Sequence, residues 1–262
     1  VEDREPTLRY GNSPLTSDVI IPARLASTRL PEKLLLRETG KTVLQHTYEA
    51  ASRARLPRNV LLAVDDRRLA DEALGFGATA IMTNPLATCG TERVAEVART
   101  VSDADILVNV QADEPDIHGA DIDLVIELLQ QHPAASVATL ASPIRSLERL
   151  LEPARVKVVV DGQGAAAYFS RSPIPFVRDG WDTVDWEGDT PFLQHLGIYA
   201  YRREFLLKLH ELPPSPLEQL ERLEQLRFLA AGHAIQVGVV PECTAGIDTA
   251  DDYRQFVLRR AG

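Results

Sequence analysis

Residues 18–33 read Asp18-Val19-Ile20-Ile21-Pro22-Ala23-Arg24-Leu25-Ala26-Ser27-Thr28-Arg29-Leu30-Pro31-Glu32-Lys33. Val19, Ile20 and Ile21 form a short β-branched run, the mark of a strand buried on both faces. The strand is read over Asp18 to Pro22. The chain then enters a polar loop carrying Arg24, Arg29 and Lys33. A buried strand that opens into a charged loop at its carboxyl end is the arrangement by which open α/β sheets bind ligands.

Working outward, the same alternation repeats. Val43, Leu44, Thr47, Tyr48 and Ala51 sit near helical spacing and predict a helix over 42–55. Strands follow at 59–64, 79–82, 105–110 and 136–140, separated by helices at 67–74, 92–101 and 120–131. This order predicts a Rossmann-like α/β fold, a mostly parallel sheet with helices on both faces. The pattern changes near residue 150. Asp161-Gly162-Gln163-Gly164 marks the turn of a hairpin between 157–160 and 165–170. A long loop over 171–194 holds Trp181 and Trp186, and then come a strand at 197–201, a helix at 216–230, a strand at 235–240 and a helix at 249–260. The expected organisation is a flexible extension over 1–17 and a single domain over 18–262, with an inserted β-rich lobe at about 155–215.

The formal net charge of -10 argues against a general nucleic-acid binder, which needs a basic surface. A small anionic substrate remains compatible, because a few cations focus a local field. Cys89 and Cys243 stand far apart, which excludes a disulfide framework or a cysteine zinc site and fits a reducing cytoplasm. No apolar run approaches the roughly 20 residues that span a bilayer, so no membrane association is expected.

Gly75-Phe76-Gly77-Ala78-Thr79-Ala80 matches a dinucleotide fingerprint in letters only. That fingerprint needs a strand before it and a helix after it, and here the order is reversed, so these glycines read as a helix end and turn. The basic loop is a better candidate. A triphosphate requires charge-assisted donors from several directions, which Arg24, Arg29 and Lys33 supply, with Ser27, Thr28 and the loop amides as neutral donors. From composition alone a solvated basic loop is an equal reading. Asp248 by itself reads as the cap of the last helix.

The loop from Pro22 to Lys33 resembles the signature loop of the cytidylyltransferases that act on Kdo, and less closely that of the sialic acid enzymes. The resemblance continues in order along the chain. Thr88-Cys89-Gly90-Thr91-Glu92-Arg93 is similar to the family's SGTER segment, and Asn109-Val110-Gln111-Ala112-Asp113-Glu114-Pro115 to its NVQGDEP. Tyr168-Phe169-Ser170-Arg171 with Ile174-Pro175, His195-Leu196-Gly197-Ile198-Tyr199, Ser215-Pro216-Leu217-Glu218 and Leu223-Glu224-Gln225-Leu226-Arg227 continue it, and Gly246-Ile247-Asp248-Thr249 closes it. Together these strings cover about residues 18–260.

What the resemblance implies is specific. Asp113 and Asp248 would hold Mg2+, and Lys33 and Arg24 would act with them in catalysis. CTP would be bound by Ala23, Arg24, Ser27, Arg29, Lys33, Gly90, Thr91, Arg93 and Gln111, and the acid sugar by Arg171, His195, Tyr199, Glu224 and Gln225. The reaction implied is attack of the anomeric hydroxyl of Kdo on the α-phosphate of CTP, giving CMP-Kdo and pyrophosphate for lipopolysaccharide-type glycan synthesis, in a homodimer. From the residues alone, His195 reads as a core histidine, Glu224 and Gln225 as a solvated helix face, and Tyr199 as packing. Three sites depart from the family: Glu32 and Leu34 replace Gly and Pro of LPGKPL, Ala112 replaces Gly, and Cys89 replaces Ser. A cytidylyltransferase for another acid sugar (an amino-substituted Kdo or a nonulosonic acid) and a non-catalytic nucleotide binder are the alternative readings.

Overall fold

The computed structural model describes residues 15–188 and 190–261. Residues 1–14 of the expected extension lie outside the described residues. Thr16 and Ser17 do not belong to such a segment: Thr16 donates to Asp105, and Ser17 is the first, buried residue of β1 (Ser17–Ala23).

β1 is an interior strand. On one side lie β2 (Asn59–Val64) and β3 (Thr79–Met82); on the other lie β4 (Ile106–Asn109), β8 (Leu193–Arg202), β5 (Val137–Pro143) and β9 (Ile235–Val239). The order is β3-β2-β1-β4-β8-β5-β9, and every strand on this path is parallel except β8, which is antiparallel to both neighbours. Val19 and Ile21 pack on one face with α1 (Val43–Ala51), α2 (Arg67–Gly75), α4 (Gly119–Gln131) and α9 (Ala250–Ala261). Ile20 packs on the other face with α3 (Gly90–Thr100), α6 (Arg203–Lys208) and α8 (Gln225–Ala230). Burial on both faces explains the continuous apolar runs of the parallel strands.

Three segments differ from the sequence reading. The helix expected over 42–55 ends at Ala51, because the side chain of Asp123 accepts from the backbone N–H groups of Arg55 and Leu56, each at 2.9 Å, and draws that segment onto α4. The helix expected over 216–230 is two helices, α7 (Pro216–Glu221) and α8. Arg222 breaks it with a left-handed φ of 56°, which lets Leu223 turn into the core. Finally, the 155–215 lobe is divided by the sheet. β6 (Lys157–Val160) and β7 (Ala166–Ser170) form the expected hairpin, but β8 belongs to the main sheet. Its second half pairs with β4, and its first residues pair with β6. A short α5 (Leu147–Leu151) precedes the hairpin, and Trp181 and Trp186 gather around Phe192 with Ile144 and Leu150.

β8 also bulges. Thr139 of β5 lies opposite Tyr199, yet the next residue, Leu140, lies opposite Leu196, so Gly197 and Ile198 are extra in the ladder. The Thr139 hydroxyl contacts the carbonyls of Leu196 and Ile198 at 3.2 and 2.7 Å and so meets backbone groups that the bulge releases. Bulges commonly re-aim side chains beside functional sites, and this one sits between His195 and Tyr199.

Gly75 and Gly77 behave as a helix end, Gly75 closing α2 and Gly77 having φ of 80°. The fold yields a sharp contrast between two glycines. A Cβ on Gly119 would meet the backbone of Arg53 and Ala54 at 2.7 Å, whereas one on Gly75 would meet nothing within 4 Å. Gly119→Ala should destabilise the protein by about 1–3 kcal/mol, and Gly75→Ala should be neutral or stabilise by up to about 1 kcal/mol. Urea denaturation of both variants checks this; equal midpoints would contradict the packing described.

Candidate active site

The loops that leave the carboxyl ends of β1, β4 and β9 converge over the point where the strand order reverses, between β1 and β4. Sheets of this class bind ligands at that crevice. Two cavities meet there. The first, of about 340 Å³, is lined by Arg24, Ser27, Arg29, Lys33, Gly90, Arg93, Gln111, Asp113 and Asp248 among others. The second, of about 480 Å³, shares Gln111, Asp113 and Asp248 and continues to Glu114, Arg155, Gln194, His195 and the loop bearing Cys243 and Thr244.

Lys33 is the hinge of the arrangement. Its ammonium pairs with Asp113 Oδ2, donates to Asp248 Oδ1 at 3.1 Å and donates to the Ile247 carbonyl at 2.8 Å. Three N–H groups thereby find three acceptors. Arg29 adds a second cation on Asp248 Oδ1 at 3.0 Å. Asp113 follows β4 and Asp248 precedes α9, and the Ile247 N–H to Asp113 carbonyl bond of 2.8 Å ties the two segments by their backbones.

Glu32 explains how Lys33 gets there. It adopts a left-handed φ of 51°, the conformation that favours glycine, and the chain then forms the short 3-10 turn Lys33–Leu35 with Leu34 buried. The Glu32 carboxylate points away from the cavity and accepts from both terminal nitrogens of Arg68, at 2.5 and 2.8 Å. The bidentate contact holds its carboxyl below the usual range. The other two departures are also accommodated. Ala112 has no positive φ, and its methyl is buried while its carbonyl accepts from Thr47 at 2.8 Å. Cys89 caps α3 without a side-chain cap bond, and burial with nearby Glu224 pushes its thiol up to about 11, so it is no nucleophile.

Of the nucleotide set, Arg24, Ser27, Arg29, Lys33, Gly90, Arg93 and Gln111 line the first cavity. Ala23 does not line it; it is the buried last residue of β1. Arg93 lines it while braced by Asp65 at 3.1 Å and by the Thr83 hydroxyl and Asn84 carbonyl, each at 2.9 Å. Gly90 is required by packing as well, since a Cβ there would sit 3.1 Å from Pro22 Cγ. Thr91 is absent from the lining: its hydroxyl donates to Glu224 at 2.6 Å, which links the nucleotide set to the sugar set.

The sugar set divides. His195 lines the second cavity, and its ring lies 5.2 Å from that of Tyr199. Glu224 reaches Thr91 and Arg227 and adds to the burial that pushes the Tyr199 phenol well up. Gln225 is buried beside it. Tyr199, Glu224, Gln225 and Arg171 are not among the residues lining this cavity; the Arg171 guanidinium donates to the carbonyls of Glu221 and Pro153 at 2.7 and 3.1 Å. Glu114, Arg155 and Gln194 line the second cavity and were missed. Glu114 stood inside a motif already quoted, and Arg155 carried no motif signal at all. Burial, then Asp113, Asp121 and Asp248, push the Glu114 carboxyl up to about 8.

Asp113 and Asp248 fit a divalent cation, because both carboxylates reach one small charged group, the Lys33 ammonium. Among the described residues no group of three or more His, Cys, Asp or Glu is arranged to hold a metal. The chain therefore offers two hard oxygen ligands, the number Mg2+ commonly takes from protein when phosphates and water supply the rest.

The cytidylyltransferase family model matches residues 19–235. The chain belongs to the cytidylyltransferase family. It is 49% identical to the 3-deoxy-manno-octulosonate cytidylyltransferase of Rhodopirellula baltica, over 92% of this chain and 97% of that protein. It is 47% identical to the protein of the same name from Geobacter sulfurreducens, over 91% of this chain and 96% of that one. The structure of CMP:2-keto-3-deoxy-manno-octonic acid synthetase complexed with CTP superposes with a TM-score of 0.88 at 40% identity, covering 94% of this chain and 98% of that one. The expected α/β nucleotidyltransferase fold is borne out.

The ring of His195 has a defined proton. Thr139 has one hydroxyl hydrogen, which the Ile198 carbonyl takes at 2.7 Å, so at 3.0 Å the Thr139 oxygen accepts from His195 Nε2–H. Nδ1 is then left as an acceptor. Burial pushes this imidazole from 6.5 down to about 3. Between these values the folded chain binds fewer protons here than the unfolded chain, so stability is lost as pH falls from about 6.5 towards 3, by up to about 1.4 kcal/mol per pH unit. Unfolding free energies measured between pH 7 and 4.5 should fall less steeply in His195→Gln than in the wild type. Equal slopes would show that this ring is free to protonate in the folded protein.

Proposed function

We propose that this protein transfers CMP from CTP to the anomeric hydroxyl of Kdo, forming CMP-Kdo and releasing pyrophosphate. The observation that carries the reading is the shared wall of the two cavities: Asp113, Asp248 and Gln111 line both a cation-rich cavity and a carboxylate-rich one. Transfer of a nucleotidyl group needs its two reactants on opposite sides of one charged centre.

Arg24, Arg29 and Lys33 approach the first cavity from one loop and neutralise the triphosphate, while the cytidine lies towards Gly90 and Gln111. Arg24 makes no ion pair among the described residues, so its charge is available to phosphate. The acceptor enters the second cavity, where Nδ1 of His195 accepts from a sugar hydroxyl. Asp113 and Asp248 would hold Mg2+, which would supply Lewis-acid polarisation of the phosphate and a lowered pKa for the attacking hydroxyl. Lys33 and Arg29 keep the two aspartates aligned and share their charge.

A homodimer and a cytoplasmic location complete the reading. The dimer is supported by the exposed apolar side chains of Phe176, Leu217 and Leu220 around β7 and α7. Among the described residues no helix is long and apolar enough to cross a membrane.

Pyrophosphate release with CTP, Mg2+ and Kdo tests the proposal, with sialic acid and no-sugar controls. Release should require Kdo and stop on chelation of the metal, and Asp113→Asn should lower kcat by at least about 100-fold. Turnover with sialic acid but not Kdo would move the assignment to another acid sugar. CTP binding without release for any sugar would favour the non-catalytic alternative.

A further inference from the structure

The second cavity poses an electrostatic problem. Asp113, Glu114, Asp248 and Asp252 all line it, and the acceptor assigned to it is itself an acid. Asp113 and Asp248 are offset by Lys33 and Arg29, which come from the loop lining the first cavity. Among the residues lining the second cavity Arg155 is the only Lys or Arg, and burial holds the neighbouring His195 neutral.

Arg155 is ion-paired with Glu152 and is built to present its outer N–H donors. Its Nε donates to Glu152 at 2.5 Å and its Nη1 to the Gln194 side chain at 3.0 Å. These two bonds fix the plane of the guanidinium and use two of its five N–H donors, and no other partner is found among the described residues. The backbone beneath is fixed as well. Lys157 is fully buried, and its ammonium donates to the carbonyls of Glu152, Arg155 and Arg171 at 3.0, 2.6 and 2.6 Å. A lysine without a carboxylate partner, satisfied wholly by three carbonyls, pins residues 152–155 against the end of β7. Beyond Arg155 a further cavity of about 560 Å³ is lined by Arg145 and Arg149 and shares Arg155, Gln194 and Cys243, so positive charge continues outward from the acceptor cavity.

Resting on the reaction proposed above, we infer that Arg155 recognises the carboxylate of the acid sugar, with Glu152, Gln194 and Lys157 as the positioning groups that hold it. One planar guanidinium with its outer donors unused matches one carboxylate. The triphosphate has its own cations in the first cavity.

The test compares Kdo with its C1 methyl ester as acceptors in pyrophosphate release by the wild type, Arg155→Met and Arg155→Lys. Arg155→Met should raise KM for Kdo roughly 10- to 100-fold, the range for a lost hydrogen bond to a charged group. KM for CTP should stay unchanged, which also reports an intact fold. The wild-type preference for the acid over the ester should shrink by a similar factor in Arg155→Met and be partly restored in Arg155→Lys, a response that a merely structural residue would not give. An active wild type whose acid preference survives in Arg155→Met would overturn this inference alone. A rise in KM for CTP, or weaker inhibition by pyrophosphate, would assign Arg155 to the nucleotide and also overturn it. Absence of turnover by the wild type with any of these acceptors would sink the reaction itself.

Discussion

The contact of the Lys33 ammonium with Asp113 and Asp248 joins parts of the chain that are remote in sequence. Lys33 comes from the loop after β1, Asp113 from the loop after β4 and Asp248 from the approach to α9. Two carboxylates brought this close repel one another unless a cation stands between them. The side chain of Lys33 is only 13% exposed, so water screens this attraction less than at a surface pair. The sheet provides the frame, since β1 and β4 are adjacent and parallel, so both chains leave the sheet at the same edge. The left-handed Glu32 aims the lysine into that frame.

From this centre the site divides by charge. The basic loop dominates the first cavity, and carboxylates dominate the second. The β8 bulge belongs to the second, because it sets His195 in the cavity wall while Thr139 satisfies the loosened carbonyls. The Thr91–Glu224 bond crosses between the two sets of residues and depends on the break at Arg222. A continuous helix over 216–230 would keep Leu223 and Glu224 in regular register and would not turn one into the core and the other onto Thr91. The sugar set thus depends on two local irregularities, a bulge and a helix break.

That dependence explains how much was legible in the sequence. Strands β2, β3 and β6 lie where their apolar runs placed them, because short aliphatic runs bounded by turn residues leave few other readings. The residues of the first cavity were largely legible for a different reason: a solvated basic loop was an equal reading of the three cations, and the ordered motifs of the family resemblance decided between them. The helix break was not legible, because Arg222 is an ordinary helix former and only tertiary packing of Leu223 forces its φ. Arg155 was not legible either. Its importance comes from being one cation among carboxylates assembled from four segments, which no local pattern records. Glu32 shows the converse, since its sequence suggested repulsion of a triphosphate and its partner Arg68, on α2, removes that conflict.

The account stands on Asp113 and Asp248 forming one centre, and the most direct test is a double-mutant comparison of kcat for pyrophosphate release. Groups that act as a unit lose nearly everything at the first substitution. Asp113→Asn, Asp248→Asn and the double variant should therefore show losses of similar size, with CTP binding by each variant measured in parallel. Losses that multiply in the double variant would mean that the two carboxylates act independently, and would contradict the single charged centre described here.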